Sequence, residues 1–203
     1  MVISEPRTNV VDRRERLLGV ARDIFAERGY QATTMDDVAS AAGFTKPILY
    51  QHFSSKESLY NEIVQSTSFQ LLAALRQATL NVSSPKELVA LAFRAYFEIV
   101  VHETSAFRLL FLQPQVGDRL SELRVVETRL TSFIEELIPL DSDPRTRRQI
   151  AASIVGMAEG AATAWLVQQE SSGWPEVGAD EIDALANRIA TFAWSGLRSM
   201  DFD

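Results

Sequence analysis

Hydrophobic side chains recur along this chain at intervals of three and four residues, which is the spacing of one face of an α-helix. Leu17, Ala21 and Phe25 lie on one such face near the N-terminus. Strand-like alternation does not stand out, and no repeat of fixed period is found. The predicted helices span residues 13–28, 34–42, 45–53, 56–80, 84–102, 105–112, 120–138, 145–169 and 180–200. The pattern therefore predicts an all-α protein of about nine helices.

The second and third predicted helices are joined by a short turn that contains a glycine. Thr34 and Asp37 have the spacing of a capping box at the start of the second helix. Gly43 follows that helix, where a residue without a β-carbon can take the left-handed conformation that ends a helix. Thr45 is placed as the N-cap of the third helix, with Pro47 in its first turn. Two helices joined in this way form a helix-turn-helix, whose second helix can lie in a DNA major groove.

A long helix connects this segment to the rest of the chain. Ser54 and Glu57 repeat the capping-box pattern, and the helix is predicted to run from residue 56 to about residue 80. Its first turn belongs with the helix-turn-helix and its remainder with the C-terminal part of the chain. We predict a flexible arm at residues 1–11, a three-helix DNA-binding domain at residues 12–57 and a larger helical domain at residues 58–203.

The helix-turn-helix segment resembles the DNA-binding end of the TetR family of one-component transcriptional regulators. The matching positions are Thr34, Val38, Ala39, Ala42, Gly43, residues 45–53 and residues 55–59. The run Leu-Tyr-Gln-His-Phe followed by Ser-Lys-Glu-Ser-Leu is far more specific than a bare helix-turn-helix pattern. The resemblance covers about a third of the chain, and it implies a TetR-like fold whose second domain binds an effector and dimerises. It also implies a homodimer that binds a palindromic operator in double-stranded DNA and is more often a repressor.

Eight residues are candidates for DNA contact. In the resemblance, the positions that hold phosphates are Thr34, Thr45, Tyr50, His52 and Lys56. Leu49 and Phe53 must face inward to hold the recognition helix, which leaves Lys46, Pro47, Ile48, Tyr50 and Gln51 nearer the outer surface. Of these, Lys46, Pro47 and Ile48 are the candidates for contact with base edges. A lysine can donate to guanine O6 and N7, and apolar groups can contact thymine methyls.

Each candidate also has a purely structural interpretation. Thr34 and Thr45 cap helices whether or not DNA is present, and a tyrosine such as Tyr50 often serves only for packing. Some family members carry a basic residue after the capping threonines, and Met35 cannot make such a contact.

Composition indicates a soluble protein that works in the cytoplasm. The 203 residues are 46% hydrophobic and 23% charged, as in ordinary globular chains, and none is cysteine. Residues 1–11 lack the apolar core of a signal peptide. The longest apolar stretch, residues 88–101, is too short to span a bilayer and is interrupted by Arg94 and Glu98. We therefore expect no membrane partner.

The net charge of −7 argues at first against a nucleic-acid partner. Residues 1–56 nevertheless hold eight basic and seven acidic side chains, a net charge of +1, which leaves −8 for the remainder. A locally basic surface on an acidic protein can still bind phosphate, so the asymmetry mildly supports DNA binding.

The last two predicted helices suit a dimer interface. Residues 153–162 are rich in small side chains, which allow close approach of helices. The candidate interface residues are Ile154, Ala158, Ala161, Ile182, Leu185, Ile189, Ala193 and Leu197. The same stripes can instead face their own core. The Gly156-x-x-x-Gly160 spacing is not taken as a membrane motif.

Aromatic side chains are concentrated between the linking helix and these last helices. The candidate pocket residues are Phe69, Phe93, Tyr96, Phe97, Phe107, Phe111 and Trp165. Aromatic stripes are more often core than ligand site, but the resemblance implies a cavity, and an aromatic lining suits a small lipophilic effector. Candidate polar anchors are Arg94, Glu98, His102 and Glu159.

Two other classes of function remain as alternatives. An enzyme is not expected, because the chain has only two histidines, His52 and His102, and contains no HExxH, GxSxG or Walker-type motif. For the same reason we expect no metal and no cofactor. An all-α lipid carrier would not need outward-facing Lys46 and Tyr50. A DNA-binding regulator without an effector stays open.

Overall fold

Nine α-helices and one π-helical turn form the computed structural model over the residues that it describes, 7–113, 118–138 and 143–198. The helices are α1 (Arg7–Arg28), α2 (Met35–Ala42), α3 (Lys46–His52), α4 (Lys56–Thr79), α5 (Pro85–His102), α6 (Thr104–Phe107), α7 (Asp118–Leu137), α8 (Pro144–Ser171) and α9 (Ala179–Leu197). The π-helical turn, Arg108–Leu112, continues α6. These residues contain no strand, and the prediction of an all-α fold is confirmed.

The chain divides into two compact units. The N-terminal unit comprises Met1–Ser66 and Ser105–Gln115, and the C-terminal unit comprises Thr67–Thr104 and Val116–Asp203. The division differs from the predicted one in two respects: its boundary in α4 lies at Ser66 rather than at residue 57, and residues 105–115 belong to the N-terminal unit. Residues 7–11, which were predicted to belong to a flexible arm, are helical, while residues 1–6 lie outside the described residues.

The N-terminal unit forms because α1 and the two short helices α2 and α3 bury one apolar face each. Leu17, Ala21 and Phe25 of α1 are fully buried, as are Val38 of α2 and Leu49 of α3. Helix α1 packs on α2, and α2 packs on α3. Burying a side chain of this size stabilises a fold by about 1.5–3 kcal/mol, so this small core holds the helix-turn-helix in shape.

A glutamine from the internal segment closes the C-terminal end of α1. The Gln113 Nε2 group donates to the carbonyl oxygens of Phe25 at 2.6 Å and Ala26 at 3.2 Å. Its Oε1 atom accepts from the backbone N–H of Tyr30 at 3.2 Å. These bonds satisfy backbone groups that a helix end otherwise leaves to solvent. The segment after α6 is thereby attached to the N-terminal unit.

Helices α5, α7, α8 and α9 supply the contacts that define the C-terminal unit. The most extensive packing is between α5 and α9 and between α7 and α8. On α5, Phe93, Phe97 and Val100 are buried, and on α8 Leu166 is buried completely. Hydrogen bonds add to this packing, since the Glu181 carboxylate of α9 accepts from the Trp165 indole of α8 at 3.3 Å.

By length and composition alone, α8 could cross a membrane. The core helix of a soluble protein meets the same criteria, and 33% of the most apolar window of α8 is buried in the protein. Because α8 packs on α5, α7 and α9, its apolar character also has an explanation inside the C-terminal unit.

Candidate DNA-binding surface and effector cavity

Helix α2 begins with the capping box that the sequence predicts. The Thr34 hydroxyl accepts from the Asp37 N–H at 3.1 Å, and the Asp37 carboxylate accepts from the Thr34 N–H at 2.8 Å. The Asp37 carboxylate also accepts from the Thr34 hydroxyl at 2.6 Å; this bond first, and then the bond from the Thr34 N–H, lowers the pKa of Asp37 below its usual value. At the other end, Gly43 has a φ of +74°, and the Phe44 N–H bonds to the Ala39 carbonyl oxygen at 2.9 Å. The turn thus requires a residue that tolerates the left-handed region.

Helix α3 presents one face to solvent. Leu49 and Phe53 are buried, as predicted, and their burial turns the opposite face outward. Thr45 is the N-cap residue of α3 but makes no capping hydrogen bond with its side chain, so its exposed hydroxyl is available to a ligand. We call the exposed side chains of Thr34, Thr45, Lys46, Pro47 and Tyr50 the recognition surface. The other predicted contacts, Ile48 and His52, are half-buried at its edge.

Lys46 carries an ion pair that the sequence analysis did not anticipate. Its Nζ atom lies 2.9 Å from Asp36 Oδ1 and 3.0 Å from Asp36 Oδ2. The hydrogen bond to this carboxylate raises the pKa of Lys46, so the lysine stays charged. Both side chains are more than half exposed. Asp36 of α2 therefore belongs to the surface that would meet DNA, and it partly neutralises the lysine placed to read bases.

Lys56, which was predicted to bind phosphate, has partners within the protein. Its ammonium donates to the carbonyl oxygens of Tyr30 and Thr33, each at 2.9 Å, and lies 4.4 Å from the centre of the Tyr30 ring. These contacts fasten the loop between α1 and α2 to the start of α4. The structure thus gives Lys56 a structural role that the sequence prediction had not assigned to it.

The cap of α4 also differs from the predicted one. The reciprocal bonds join Ser55 and Ser58: the Ser58 N–H donates to Ser55 Oγ at 3.0 Å, and the Ser55 N–H donates to Ser58 Oγ at 3.1 Å. The prediction had paired Ser54 with Glu57, one position earlier. Because serines stand at positions 54, 55 and 58, the sequence allows the capping pair to be Ser54 with Glu57 or Ser55 with Ser58. The residue at which the helix begins decides between the two pairs.

The C-terminal unit contains an apolar cavity of about 520 Å³ between α5, α7, α8 and α9. Its lining is Val82, Ser83, Pro85, Leu88, Val89, Ala92, Phe93, Ile134, Leu137, Ile138, Ile154, Trp194, Leu197 and Arg198. A smaller cavity of about 40 Å³ shares Ala92, Phe93, Ile134 and Ile154 with it. The larger volume falls in the range of small-molecule sites, roughly 300–1,000 Å³.

Two of the seven predicted pocket residues line these cavities, and the lining is mainly aliphatic. Phe93 contacts both cavities and Tyr96 contacts the smaller one. Phe69 is 74% exposed on α4, whereas Phe97 and Trp165 are buried in the core. The other two, Phe107 and Phe111, belong to the segment that joins the N-terminal unit. The prediction missed the aliphatic lining because leucine, isoleucine and valine occur on every helix and carry no distinctive signal.

The predicted polar anchors lie outside both cavities. Arg94 pairs with Glu98 at 3.2 Å and with Asp183 of α9 at 3.0 Å on the outside of α5. Glu159 of α8 is half-buried; burial first, and then the nearby Glu127 of α7, raise its pKa to about 7. His102 is exposed at the end of α5.

The predicted dimer residues point largely into their own protomer. Ala158, Ile182 and Ala193 are buried, and Ile154 and Leu197 line the larger cavity. Ala161, Leu185 and Ile189 are half-buried. The faces of α8 and α9 that remain open carry other residues, among them Gly156, Gly160, Val167 and Phe192.

The described residues contain no group of three or more acidic, histidine or cysteine side chains that could hold a metal ion. An exposed recognition helix on one unit and an apolar cavity in a separate helical unit define a class of protein, the ligand-responsive helix-turn-helix regulators.

Comparison with known proteins gives the family. The model for bacterial regulatory proteins of the tetR family matches residues 17–63. The HTH-type transcriptional activator FasR of Mycolicibacterium smegmatis is 32% identical over 193 residues, which are 92% of this chain and 83% of FasR. The HTH-type transcriptional repressor KstR2 of the same organism is 36% identical over 120 residues, which are 58% of this chain and 57% of KstR2.

A solved structure shares the fold. The regulator FadR from Bacillus subtilis, in complex with stearoyl-CoA, has a TM-score of 0.74 at 16% identity, with 90% of this chain and 98% of FadR covered. The chain belongs to the TetR family of transcriptional regulators, as its helix-turn-helix motif predicted. Members of this family are DNA-binding regulators rather than enzymes.

Proposed function

We propose that two copies of this chain bind a palindromic operator through α3, and that a small lipophilic effector in the C-terminal cavity weakens this binding. The protein would carry out this regulation in the cytoplasm. The observation that carries the proposal is the combination of an outward-facing recognition surface with an apolar cavity in the other unit.

The proposed DNA contacts depend on the side chains that α3 exposes. Lys46 can donate to guanine O6 and N7, and Pro47 can contact a thymine methyl. Thr34, Thr45 and Tyr50 are exposed hydroxyl groups that can donate to phosphate oxygens. One helix of this length contacts few base pairs, so a second copy is needed to read a useful site. Half-sites would then lie about one helical turn, ~34–36 Å, or a multiple of it apart.

The proposed dimer interface uses the open faces of α8 and α9. Gly156 and Gly160 are exposed, and a β-carbon built on either meets nothing within 4 Å in the same protomer. Such small residues let a second helix approach closely. Phe192 on α9 is 70% exposed, which is unusual for so apolar a side chain, and Val167 on α8 is 52% exposed. On α8 the proposed face differs from the predicted one, whereas on α9 Phe192 lies three residues from Ile189 and seven from Leu185, on the same side of the helix as these two predicted residues.

An effector with a long apolar part is the ligand class that the cavity favours. Its walls are almost entirely aliphatic, with Phe93 and Trp194 as the aromatic exceptions. FadR, a regulator of the same fold, was solved with stearoyl-CoA, so this fold can hold a fatty acyl ligand. An effector can shift the protein only if it binds the DNA-free state more tightly than the DNA-bound state.

The direction of regulation is not determined by the fold. The relative FasR is an activator and the relative KstR2 is a repressor. Activation or repression depends on where the operator lies relative to the promoter. The prediction of a repressor therefore stays a prediction.

The proposal is tested by selecting bound sequences from a random duplex pool with the full-length protein. A palindromic motif is expected, and Lys46→Ala and Tyr50→Ala should each weaken binding to it in a gel shift at a stated salt concentration. Adding palmitate or palmitoyl-CoA should release the operator. Binding that is unaffected by both substitutions would rule out the proposed DNA surface.

The dimer is tested separately by sedimentation velocity. Phe192→Asp should convert the dimer to monomers, because a charge would be buried in the interface. Phe69→Asp is the matched control, since Phe69 is similarly exposed but lies on α4. A Phe192→Asp variant that remains dimeric would contradict the proposed interface.

A further inference from the structure

The opening of the larger cavity carries its polar side chains. Among the residues that line it, Ser83 and Arg198 have hydrophilic side chains, and both are exposed to solvent. Ser83 precedes the N-cap of α5, and Arg198 comes directly after the last residue of α9. The apolar walls thus lead outward to one positively charged side chain.

Arg198 is set apart from the other arginines of the C-terminal unit by its place in the lining of the larger cavity. Arg94 pairs with Glu98 and Asp183, and Arg148 lies 4.0 Å from Glu135. No ion pair involves Arg198 in the part of the chain that the structure describes. A guanidinium group presents a fork of N–H donors that matches the geometry of carboxylate and phosphate oxygens.

We propose that Arg198 binds the anionic head of an amphipathic effector, a fatty acid or a fatty acyl thioester, whose alkyl chain fills the cavity. The proposal rests on the proposed function and names the ligand class of the same site. The chain would enter between α5 and α9 and run along Leu88, Ile134 and Ile154. The smaller cavity, which shares Phe93 and Ile154 with the larger one, continues the apolar path toward Tyr96.

Charge recognition by Arg198 makes a specific prediction about ligand choice. A fatty alcohol has the same alkyl chain but no negative charge, so the guanidinium group should not increase its affinity. A free fatty acid offers a carboxylate at the cavity mouth, whereas an acyl-CoA offers phosphates farther from the chain. Comparing palmitate with hexadecanol therefore measures what the negative charge contributes to affinity. Comparing palmitate with palmitoyl-CoA shows which of the two anions the site prefers.

The test is isothermal titration of these three ligands into wild-type protein, Arg198→Gln and Arg188→Gln. Arg188 is the matched control, because it is exposed on the same helix and does not line the cavity. Trp194 lines the cavity, so quenching of its fluorescence by brominated palmitate reports that the ligand is in the proposed place. An Arg198→Glu variant reverses the charge at this position and is titrated with the cationic ligand hexadecylammonium.

In Arg198→Gln, affinity for palmitate or palmitoyl-CoA should fall by about tenfold, while hexadecanol binds as it does to wild type. Arg188→Gln should match wild type, and Arg198→Glu should prefer hexadecylammonium. Equal losses for acid and alcohol, or no loss for either anion, would overturn the role of Arg198 and leave the effector cavity standing. Wild-type protein that binds none of the three ligands would overturn both proposals.

Discussion

The two lysines of the helix-turn-helix show how neighbouring side chains decide a residue's role. Lys46 and Lys56 both resemble DNA contacts in sequence. Lys56 is directed toward carbonyl oxygens of Tyr30 and Thr33, which lie more than twenty residues away in sequence. Lys46 faces solvent beside the Asp36 carboxylate. The Thr34–Asp37 box was predictable because its partners are three residues apart, whereas these lysine contacts depend on how helices pack.

Asp36→Asn should strengthen DNA binding. Removing the carboxylate frees Lys46 for DNA and takes a negative charge away from the recognition surface. The affinity for the operator should rise severalfold at each salt concentration, because the ammonium can then donate to a base edge without a competing carboxylate. Fluorescence anisotropy at several salt concentrations measures it, with Asp180→Asn on α9 as the control. An unchanged affinity would show that the ion pair does not compete with DNA.

Lys56→Met should destabilise the N-terminal unit. The substitution removes two hydrogen bonds from an ammonium to carbonyl oxygens, and charged hydrogen bonds of this kind contribute about 1–3 kcal/mol in total to folding. Urea unfolding followed by circular dichroism measures the loss. Lys86→Met, at an exposed position of α5, is the control. Unchanged stability together with weakened DNA binding would instead support the phosphate contact that the sequence predicts.

At the scale of elements, hydrophobic periodicity and capping residues placed every helix to within a few residues, apart from the start of α1. One element has a different type of helix from the predicted one. The segment after α6 was predicted to be α-helical but forms a π-helical turn, Arg108–Leu112. A π-helical turn keeps the same apolar residues in a helical path, so the spacing of hydrophobic positions does not distinguish it. This segment also packs on α1.

The contact between α7 and α8 should make stability depend on pH through Glu159. Its pKa is raised from 4.5 to about 7 by burial and by Glu127, so the folded state holds this proton more tightly than the unfolded state. Stability should therefore fall as the pH rises from about 4.5 to about 7 and should not change further above that range because of this group. Below pH 4.5 Glu159 is protonated in both the folded and the unfolded state, so stability no longer depends on pH through this group.

Glu159→Gln should reduce this decline, since the amide does not titrate. Melting temperatures across the same pH range, for wild type and variant, provide the measurement. Glu136→Gln, at an exposed position of α7, is the control and should behave as wild type. A decline of the same size in Glu159→Gln would assign it to other groups.

At the scale of the whole molecule, the chain leaves the C-terminal unit after Thr104 and rejoins it at Val116. Between these points the segment contributes Gln113, whose amide bonds to the end of α1. The chain thus passes between the two units three times, once within α4 and once at each end of this segment. If the proposed effector shifts the C-terminal unit, we expect these connections to carry the shift to α3.

Gln113→Ala should weaken this connection. Effector affinity should stay as in wild type, because Gln113 is not part of the cavity, but the effector should release DNA less well. The ratio of operator affinities without and with palmitate or palmitoyl-CoA should fall severalfold, within the range of typical coupling energies. Gln65→Ala, exposed on α4, is the control. A ratio equal to that of wild type would show that coupling runs through α4 alone.

The sequence by itself determined the helical fold class, the helix-turn-helix, its family and the outward face of α3. These features depend on periodicity and on residues close together in the chain. Only the tertiary structure decided the aliphatic cavity, the ion pair of Lys46, the inward role of Lys56 and the return of residues 105–115 to the N-terminal unit. These depend on contacts between residues distant in sequence, and an apolar residue does not show in sequence which of several neighbouring helices will cover it.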